Sequence, residues 1–241
     1  NLSLHSLKES DVPLIKEMGG SYVRIDLSWD MIEKEKGVYN FHIFDRVVNE
    51  FSTAGITIIF ILDYGNPLYE NGTIKTDVGH EPFARFAATA VKRYRGRDII
   101  WEVWNEPDAP EFWFLTPPNP EEYMALLKAT YKAIKETDPS ALVVGPATNI
   151  FMNKEYFSAL LRQSLLRYID ILSVHFYDVH SPEEADIKID ALRKKISRLD
   201  PEYKDIPIIC SEWGYSSPDP QYYLEEFAEY DVDIAHWPQF K

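Results

Sequence analysis

The feature that most constrains the fold of this chain is an alternation of apolar, β-branched runs of strand length with stretches of helical periodicity. This alternation is typical of strand–helix units around a parallel sheet. Strands are predicted at residues 22–28, 56–63, 99–104, 142–146, 169–176 and 207–211. Helices are predicted ahead of them, at residues 9–18, 41–54, 81–94, 121–136, 154–168 and 182–199. The pattern therefore indicates an α/β fold.

The two ends of the chain bring the count of strands to eight. Residues 1–6 are predicted as a short first strand, residues 221–230 as a short helix and residues 232–237 as a final strand. Eight strands spaced about 30 to 45 residues apart predict a compact (β/α)8 barrel, or TIM barrel. We expect a single domain over residues 1–241, with a shortened first strand and little or nothing after the eighth; it is either a natural compact barrel or a fragment of a longer chain. A doubly wound sheet is the alternative, but the chain has no GxGxxG turn.

The charge balance excludes several classes of partner. Lys and Arg number 25 against 39 Asp and Glu, so the net charge of −14 would oppose binding to phosphate backbones or anionic lipid surfaces. The longest apolar run, residues 56–62, is far shorter than the roughly 18 residues that a membrane span needs. We expect a soluble protein with no nucleic-acid partner and no membrane insertion. An extracellular location is favoured slightly over a cytoplasmic one, and the oligomeric state stays open.

Cysteine usage and histidine spacing bear on cofactors. Cys210 is the only cysteine, which excludes an internal disulfide, and neither CxxC nor HExxH occurs. We expect Cys210 to be a buried, inert side chain on its strand. We also expect no bound metal ion and no cofactor.

Two glutamates follow predicted strands at the end where a barrel of this type carries its active site. Glu106 comes after strand 99–104, in WEVWNEP, and Glu212 after strand 207–211, in CSEWGY. In a ring of eight these are the fourth and seventh strands, so both side chains are expected to converge on one small volume. Glycoside hydrolysis requires such a pair, one carboxyl to protonate the departing oxygen and the other to attack the anomeric carbon or activate a water. The residues alone leave open the separation of the pair, which distinguishes retention from inversion.

The sequence motifs around these glutamates resemble those of a known group of enzymes. Asn-Glu-Pro at 105–107 with Ser-Glu-Trp-Gly at 211–214 resembles clan A of the retaining glycoside hydrolases, and WEVWNEPD is similar to family 39 and its bacterial polysaccharide-cleaving relatives. The resemblance implies cleavage of β-glycosidic bonds with retention by a double displacement, with Glu106 as acid/base and Glu212 as nucleophile. It also implies that Asn105 holds the sugar hydroxyl beside the anomeric carbon.

The partner implied by this resemblance is an oligosaccharide or polysaccharide substrate. Family 39 implies β-xylosides or glycans that contain uronic acids, whereas the polysaccharide-cleaving relatives and family 5 imply an endo-acting enzyme with a long groove. The connections 66–80 and 108–120 could form either a closed pocket or the walls of a groove. The choice of sugar and linkage therefore stays open.

Further candidates for substrate binding lie at or after predicted strand ends. They are Arg24, Asp63, Tyr64, Asn66, His175, Tyr177, Trp213 and Trp237. Each has a structural alternative: Arg24 could form a buried ion pair with Asp26 or another acid, His175 could be a satisfied core histidine, and the tryptophans could be core side chains. The residues after strand 56–63 could instead form a tight turn. Glu102, inside its strand, is expected to be a buried structural acid.

Two other functions stay open on the sequence alone. A sugar-binding pseudoenzyme would hold a glycan in the same pocket without cleaving it. A metal-dependent barrel hydrolase would need histidines and acids at strand ends, and His5, His175 and His236 are the histidines placed there.

Overall fold

The computed structural model describes residues 8, 10–70, 74–114, 116–177, 179 and 181–214. The strands are β1 (Tyr22–Ser28), β2 (Glu33–Glu35), β3 (Val38–Tyr39), β4 (Thr57–Asp63), β5 (Ile99–Val103), β6 (Leu142–Thr148), β7 (Ile171–His175) and β8 (Ile208–Glu212). The helices are α1 (Asp11–Glu17), α2 (Trp29–Ile32), α3 (His42–Ala54), α4 (Asp77–Arg93), α5 (Pro120–Thr137), α6 (Lys154–Arg162) and α7 (Pro182–Leu199). The elements predicted at 1–6, 221–230 and 232–237 lie outside the described residues.

Six of these strands form one parallel sheet in the order β1-β4-β5-β6-β7-β8. At least one helix connects each strand to the next, as parallel pairing requires, so all the carboxyl ends lie at the same end of the sheet. This arrangement confirms the predicted strand–helix units. The antiparallel hairpin of β2 and β3 was not predicted; it turns at Gly37, whose φ of 79° suits glycine.

Two helices differ by more than two residues from their predicted bounds, for local reasons. α4 begins at Asp77 rather than at residue 81, because the Thr76 side chain accepts a hydrogen bond from the Val78 N–H and caps the helix one turn earlier. The helix predicted at 154–168 is interrupted after α6 and continues as a 3-10 turn, because Ser164 has a φ of 62°. Across the described part of the chain, no helix combines the length and hydropathy that crossing a bilayer requires.

Aromatic side chains fill the space around the loop that follows β5. Trp104 is fully buried, and its ring centroid lies 5.2 Å from that of Trp113 and 5.6 Å from that of Phe114. Trp29 is also fully buried, with its ring stacked at 5.2 Å on Tyr69. Trp29, Trp104 and Trp113 are therefore core side chains. The packing of Trp113 and Phe114 on Trp104 holds the loop after β5 in place.

Cys210 departs from its expected environment. The side chain was expected to be buried, and this prediction is wrong, because Cys210 is exposed. It lies on β8, an edge strand of the described sheet, where no further described strand covers it.

Candidate active site

The loop that carries Glu106 leaves regular strand geometry directly after β5. Trp104 has a φ of 70° and Glu106 a φ of 44°, both in the left-handed region that side chains disfavour. Such residues cost about 1 to 3 kcal/mol each and persist where the surroundings hold them. Here the Glu106 N–H donates to the Ala147 carbonyl at 3.0 Å. A regular strand would turn Asn105 and Glu106 to opposite faces, whereas this backbone brings both side chains to one site.

His175 lies between the two glutamates. It is the last residue of β7 and is fully buried, and its Nδ1 is 2.7 Å from Oε1 of Glu106 and 3.0 Å from Oε2 of Glu212. One nitrogen of His175 and one oxygen of each glutamate all lie within 4.8 Å of one another. The side chains of Glu106 and Glu212 are 17% and 21% exposed, so solvent reaches both. β7, β8 and the loop after β5 thus deliver three titratable groups to one point.

Arg24 lies beneath this cluster. Its Nε is 2.5 Å from Oε2 of Glu102, its Nη2 donates to Oδ1 of Asn105 at 2.8 Å, and its Nη1 is 3.9 Å from Oε2 of Glu212. Burial opposes the charge of Arg24, but the negative charges of Glu102 and Glu212 prevail, and the pKa of Arg24 is raised. Arg24 therefore forms a buried ion pair, as its structural alternative predicted, and it also faces the candidate site. Glu102 is the buried structural acid that was expected.

Tyr64 and Asn105 form one wall of the site. The Tyr64 ring packs edge-on against Trp104 at 5.2 Å and stacks on Phe112 at 6.1 Å. Burial, and then the charge of Asp63, raise the pKa of the Tyr64 phenol, so the hydroxyl stays protonated. A hydrogen bond joins it to the Asn105 side chain, which Arg24 holds from the other direction.

Two candidates for sugar binding lie away from the mouth of the site. Asn66 is 1% exposed; its amide donates to the Glu33 carbonyl at 2.8 Å and accepts from the Leu68 N–H at 2.9 Å, which is the turn role of its structural alternative. Asp63 is fully buried. Burial, followed by the charge of Asp26, raises the pKa of Asp63 well above its usual range. Neither the Asp63 carboxyl nor the Asn66 amide reaches solvent.

Two aromatic candidates lie at the exposed rim. Tyr177 is 45% exposed and Trp213 is 41% exposed. Burial, together with the charge of Glu212 and a hydrogen bond to it, raises the pKa of Tyr177 to about 12. The Trp213 indole N–H donates to the Val179 carbonyl at 3.1 Å, which orients the ring. Trp237 lies outside the described residues.

Asp108 lies close enough to the site to interact with the charges of Glu106 and His175, although it was not among the predicted residues. Burial, and to a smaller extent the charge of Glu106, raises the pKa of Asp108 to about 6, while a backbone hydrogen bond and the charge of His175 act in the opposite direction. The signal in the sequence was the second acid in Asn-Glu-Pro-Asp, only two residues after Glu106.

The described residues include one group that could hold a metal ion. It consists of Glu106, His175 and Glu212, which offer one nitrogen and two carboxylate oxygens. The same nitrogen lies within hydrogen-bonding distance of both oxygens, so a cation would compete with these contacts.

The sequence profile of the cellulase family, glycosyl hydrolase family 5, matches residues 4–238. The chain belongs to this family of clan A glycoside hydrolases. The match extends over every strand described above and confirms the resemblance to clan A. Several solved structures with a similar fold are of family 39, as described below.

Two sequence relatives are β-xylosidases. The one from Geobacillus stearothermophilus is 25% identical over 200 residues, which cover 75% of this chain and 36% of the relative. The one from Caldicellulosiruptor saccharolyticus is 29% identical over 153 residues, which cover 58% of this chain and 30% of the relative. The chain thus spans about a third of the length of these relatives.

Solved structures share the fold. A family 39 β-xylosidase from Caulobacter crescentus superposes with a TM-score of 0.70 at 21% identity, covering 94% of this chain and 58% of that one. A family 39 glycoside hydrolase from Bacteroides cellulosilyticus gives 0.68 at 20% identity, covering 87% of this chain and 46% of that one. These neighbours confirm that the six-stranded sheet is part of a (β/α)8 barrel.

Proposed function

We propose that residues 1–241 form a catalytic domain that hydrolyses β-glycosidic bonds with retention, with Glu106 as acid/base and Glu212 as nucleophile. One observation carries this proposal: an oxygen of Glu106 lies within 4.8 Å of an oxygen of Glu212. Retaining enzymes hold their carboxyl groups about 5 to 5.5 Å apart, whereas inverting enzymes need about 6.5 to 9.5 Å to admit a water. The short separation favours retention.

The reaction takes two displacements at the anomeric carbon. In the first, an oxygen of Glu212 attacks that carbon, the bond to the leaving oxygen breaks, and Glu106 gives its proton to the leaving oxygen. In the second, Glu106 takes a proton from water, whose oxygen attacks the same carbon and releases the Glu212 carboxylate. Glu106 is thereby reprotonated, and both glutamates return to their starting states.

The surrounding groups orient and balance these two carboxylates. The charge of Arg24 and the hydrogen bond from Tyr177 stabilise negative charge on Glu212. His175 can donate through Nδ1 to either glutamate and so keeps the pair close together. We assign Asn105, held by Arg24 and Tyr64, to the sugar hydroxyl next to the anomeric carbon.

The rim supplies apolar surface for the sugar ring. Tyr177 and Trp213 are both partly exposed beside Glu212, and sugars present C–H faces that stack on aromatic rings. We assign these two rings to substrate subsites, with Trp237 as a further proposed platform.

A neutral sugar fits the charge of the site better than a uronic acid. Glu106 and Glu212 both face the candidate site, and Arg24 is already paired with Glu102. A substrate carboxylate would meet like charge there. Because two relatives are named β-xylosidases, we propose a β-xyloside as the substrate. The pseudoenzyme alternative is not supported by these relatives.

Product stereochemistry tests the proposal. Proton NMR during hydrolysis of an aryl β-xyloside should show the β-anomer of xylose first, followed by mutarotation. The α-anomer as the first product would mean inversion and would overturn the assignment of Glu212 as nucleophile. Parallel assays with aryl β-glucosides and β-mannosides would identify the preferred sugar. Binding without turnover across all of them would revive the pseudoenzyme.

A further inference from the structure

Ala147 is an extra residue in the pairing between β6 and β7. Pro146 pairs with Ser173, and the next pair along the two strands is Thr148 with Val174. Ala147 lies between these pairs and has no ladder partner among the described residues of β7. Its φ of 53° falls in the left-handed region that side chains disfavour. Ala147 therefore forms a β-bulge, a feature that beside an active site can re-aim a neighbouring group.

Two hydrogen bonds connect Ser173 to Glu106 through this bulge. The Ala147 N–H donates to Oγ of Ser173 at 2.9 Å, and the Ala147 carbonyl accepts from the Glu106 N–H at 3.0 Å. Ser173 and Ala147 are both fully buried, so water does not compete for these groups. Because a buried N–H without an acceptor is costly, the Ser173 hydroxyl stabilises the unusual backbone of Ala147.

Strand β7 thus holds Glu106 at two points. His175 follows Ser173 by two residues, on the same face of the strand, and its Nδ1 is 2.7 Å from Oε1 of Glu106. Ser173 holds the Glu106 backbone through Ala147, while His175 contacts the Glu106 carboxyl group. Glu106 itself has a φ of 44°, a conformation that persists only where its surroundings hold it.

We infer that Ser173 is a positioning residue: its hydroxyl, acting through the Ala147 bulge, holds the backbone of Glu106 so that the carboxyl group can reach the leaving oxygen. Loss of the hydroxyl leaves the Ala147 N–H unpaired, so the bulge relaxes and Glu106 moves with the carbonyl that it binds. A shift of about 1 Å at a catalytic group can cost about a hundredfold in rate. This inference rests on the proposed acid/base role of Glu106.

Ser173→Ala removes the hydrogen-bond acceptor and tests the inference by kinetics. For glycosides with poor leaving groups, kcat/KM should fall by about tenfold to a hundredfold. For activated aryl glycosides, which need little protonation, the loss should be less than about threefold. Equal losses on the two substrate classes would overturn the inference. Ser173→Cys, whose thiol is a weaker acceptor, should show a smaller loss of the same kind and takes the place of Ser173→Ala if that variant does not fold.

Ile196→Val is the control for a general loss of stability. It shortens a fully buried side chain of α7 and so weakens the core. The ratio of kcat/KM between the two substrate classes should nevertheless stay as in the wild type. The same change of ratio in Ile196→Val as in Ser173→Ala would mean that the ratio reports stability alone, which would overturn the inference.

A double-mutant cycle shows whether Ser173 acts through Glu106. In Glu106→Gln the proton donor is already absent, so adding Ser173→Ala should change kcat/KM for poor leaving groups by less than about twofold. The same loss in both backgrounds would mean that Ser173 supports the sheet independently of Glu106, and the inference would be wrong.

Hydrogen exchange needs no activity and separates this inference from the proposed function. Relative to the amides of β5, the Glu106 amide should exchange about tenfold faster in Ser173→Ala, whereas Ile196→Val should leave this relative rate unchanged. An unchanged relative rate in Ser173→Ala would overturn the inference even in an active enzyme. A wild type that hydrolyses no glycoside, together with faster Glu106 exchange in Ser173→Ala, would instead overturn the proposed function and leave the link between Ser173 and Glu106 standing.

Discussion

Arg24 on β1 and Glu212 on β8 lie at opposite edges of the six-stranded sheet, yet Nη1 of Arg24 is 3.9 Å from Oε2 of Glu212. In a flat sheet with strands about 4.8 Å apart, these edges would be roughly 24 Å apart. The sheet must therefore curl until its edges approach each other across the interior. This curvature is what allows Glu106, carried by the loop after β5, to meet Glu212.

Replacing the proposed acid should separate substrates by leaving group. Glu106→Gln cannot donate a proton, so kcat/KM for glycosides with poor leaving groups should fall by about 10² to 10⁴. Activated aryl glycosides should lose much less in the first step, because their leaving groups depart unprotonated. Steady-state kinetics on both classes check this. Glu111→Gln, a matched change at an exposed position of the same loop, should alter neither class, and equal losses on both in Glu106→Gln would argue against an acid role.

Removing one partner of the buried ion pair should destabilise the fold. Glu102→Gln leaves the buried guanidinium of Arg24 without its closest counter-charge, and such a change costs about 3 to 5 kcal/mol. The free energy of unfolding in urea measures the loss. The exposed pair of Lys34 and Asp30 offers a control, since Asp30→Asn should cost less than about 1 kcal/mol. Similar losses in the two variants would mean that the buried pair of Arg24 and Glu102 stabilises the fold no more than an exposed pair does.

The raised pKa of Asp63 predicts a pH-dependent stability difference. The folded protein holds this proton more tightly than the unfolded chain, so the stabilisation is present below the ordinary value of 3.8 and is lost as the pH rises through the folded value. Asp63→Asn cannot ionise, and its free energy of unfolding relative to wild type should therefore increase with pH above 3.8. Urea unfolding at several pH values checks this. The exposed control Asp98→Asn should show no such trend, and a difference that is constant with pH for Asp63→Asn would contradict the burial argument.

A partly exposed platform and a core side chain should respond differently to truncation. Trp213→Ala removes a proposed stacking surface, so KM should rise about tenfold, equivalent to about 1.4 kcal/mol, with a change in stability below about 1 kcal/mol. Trp104→Ala empties a fully buried position and should cost about 3 to 5 kcal/mol of stability. Kinetics and thermal unfolding of the two variants distinguish these roles. An unaltered KM in Trp213→Ala would remove this ring from the substrate site.

Much of the fold could be predicted because its signals are local. Strand runs and helix periods follow from short stretches of sequence, and the position of Glu106 and Glu212 after their strands follows from the same pattern. The start of α4 was harder, because Thr76 caps the helix at residue 77, four residues before the predicted start at residue 81. The left-handed backbone at Trp104 has no signal that spacing rules could read.

The contacts within the site depend on the curled sheet as a whole, and the sequence could not predict them. The pairing of Arg24 with Glu102 joins two strands separated by β4, so it requires the three-dimensional register. His175 could be assigned neither to the core nor to the site from its strand alone, and in the structure it is both fully buried and in contact with Glu106. Asn66 was ambiguous for the same reason, until its hydrogen bonds with Leu68 in the turn and with the Glu33 carbonyl were known.

Trapping of the covalent intermediate tests the central claim most directly. A 2-deoxy-2-fluoro β-xyloside with an activated leaving group should inactivate the enzyme, and mass spectrometry of the digested protein should find one sugar on the peptide that contains Glu212. The Glu212→Gln variant should remain unlabelled. A label on any other residue, or full turnover with no covalent species at any time, would contradict the proposal that Glu212 attacks the anomeric carbon.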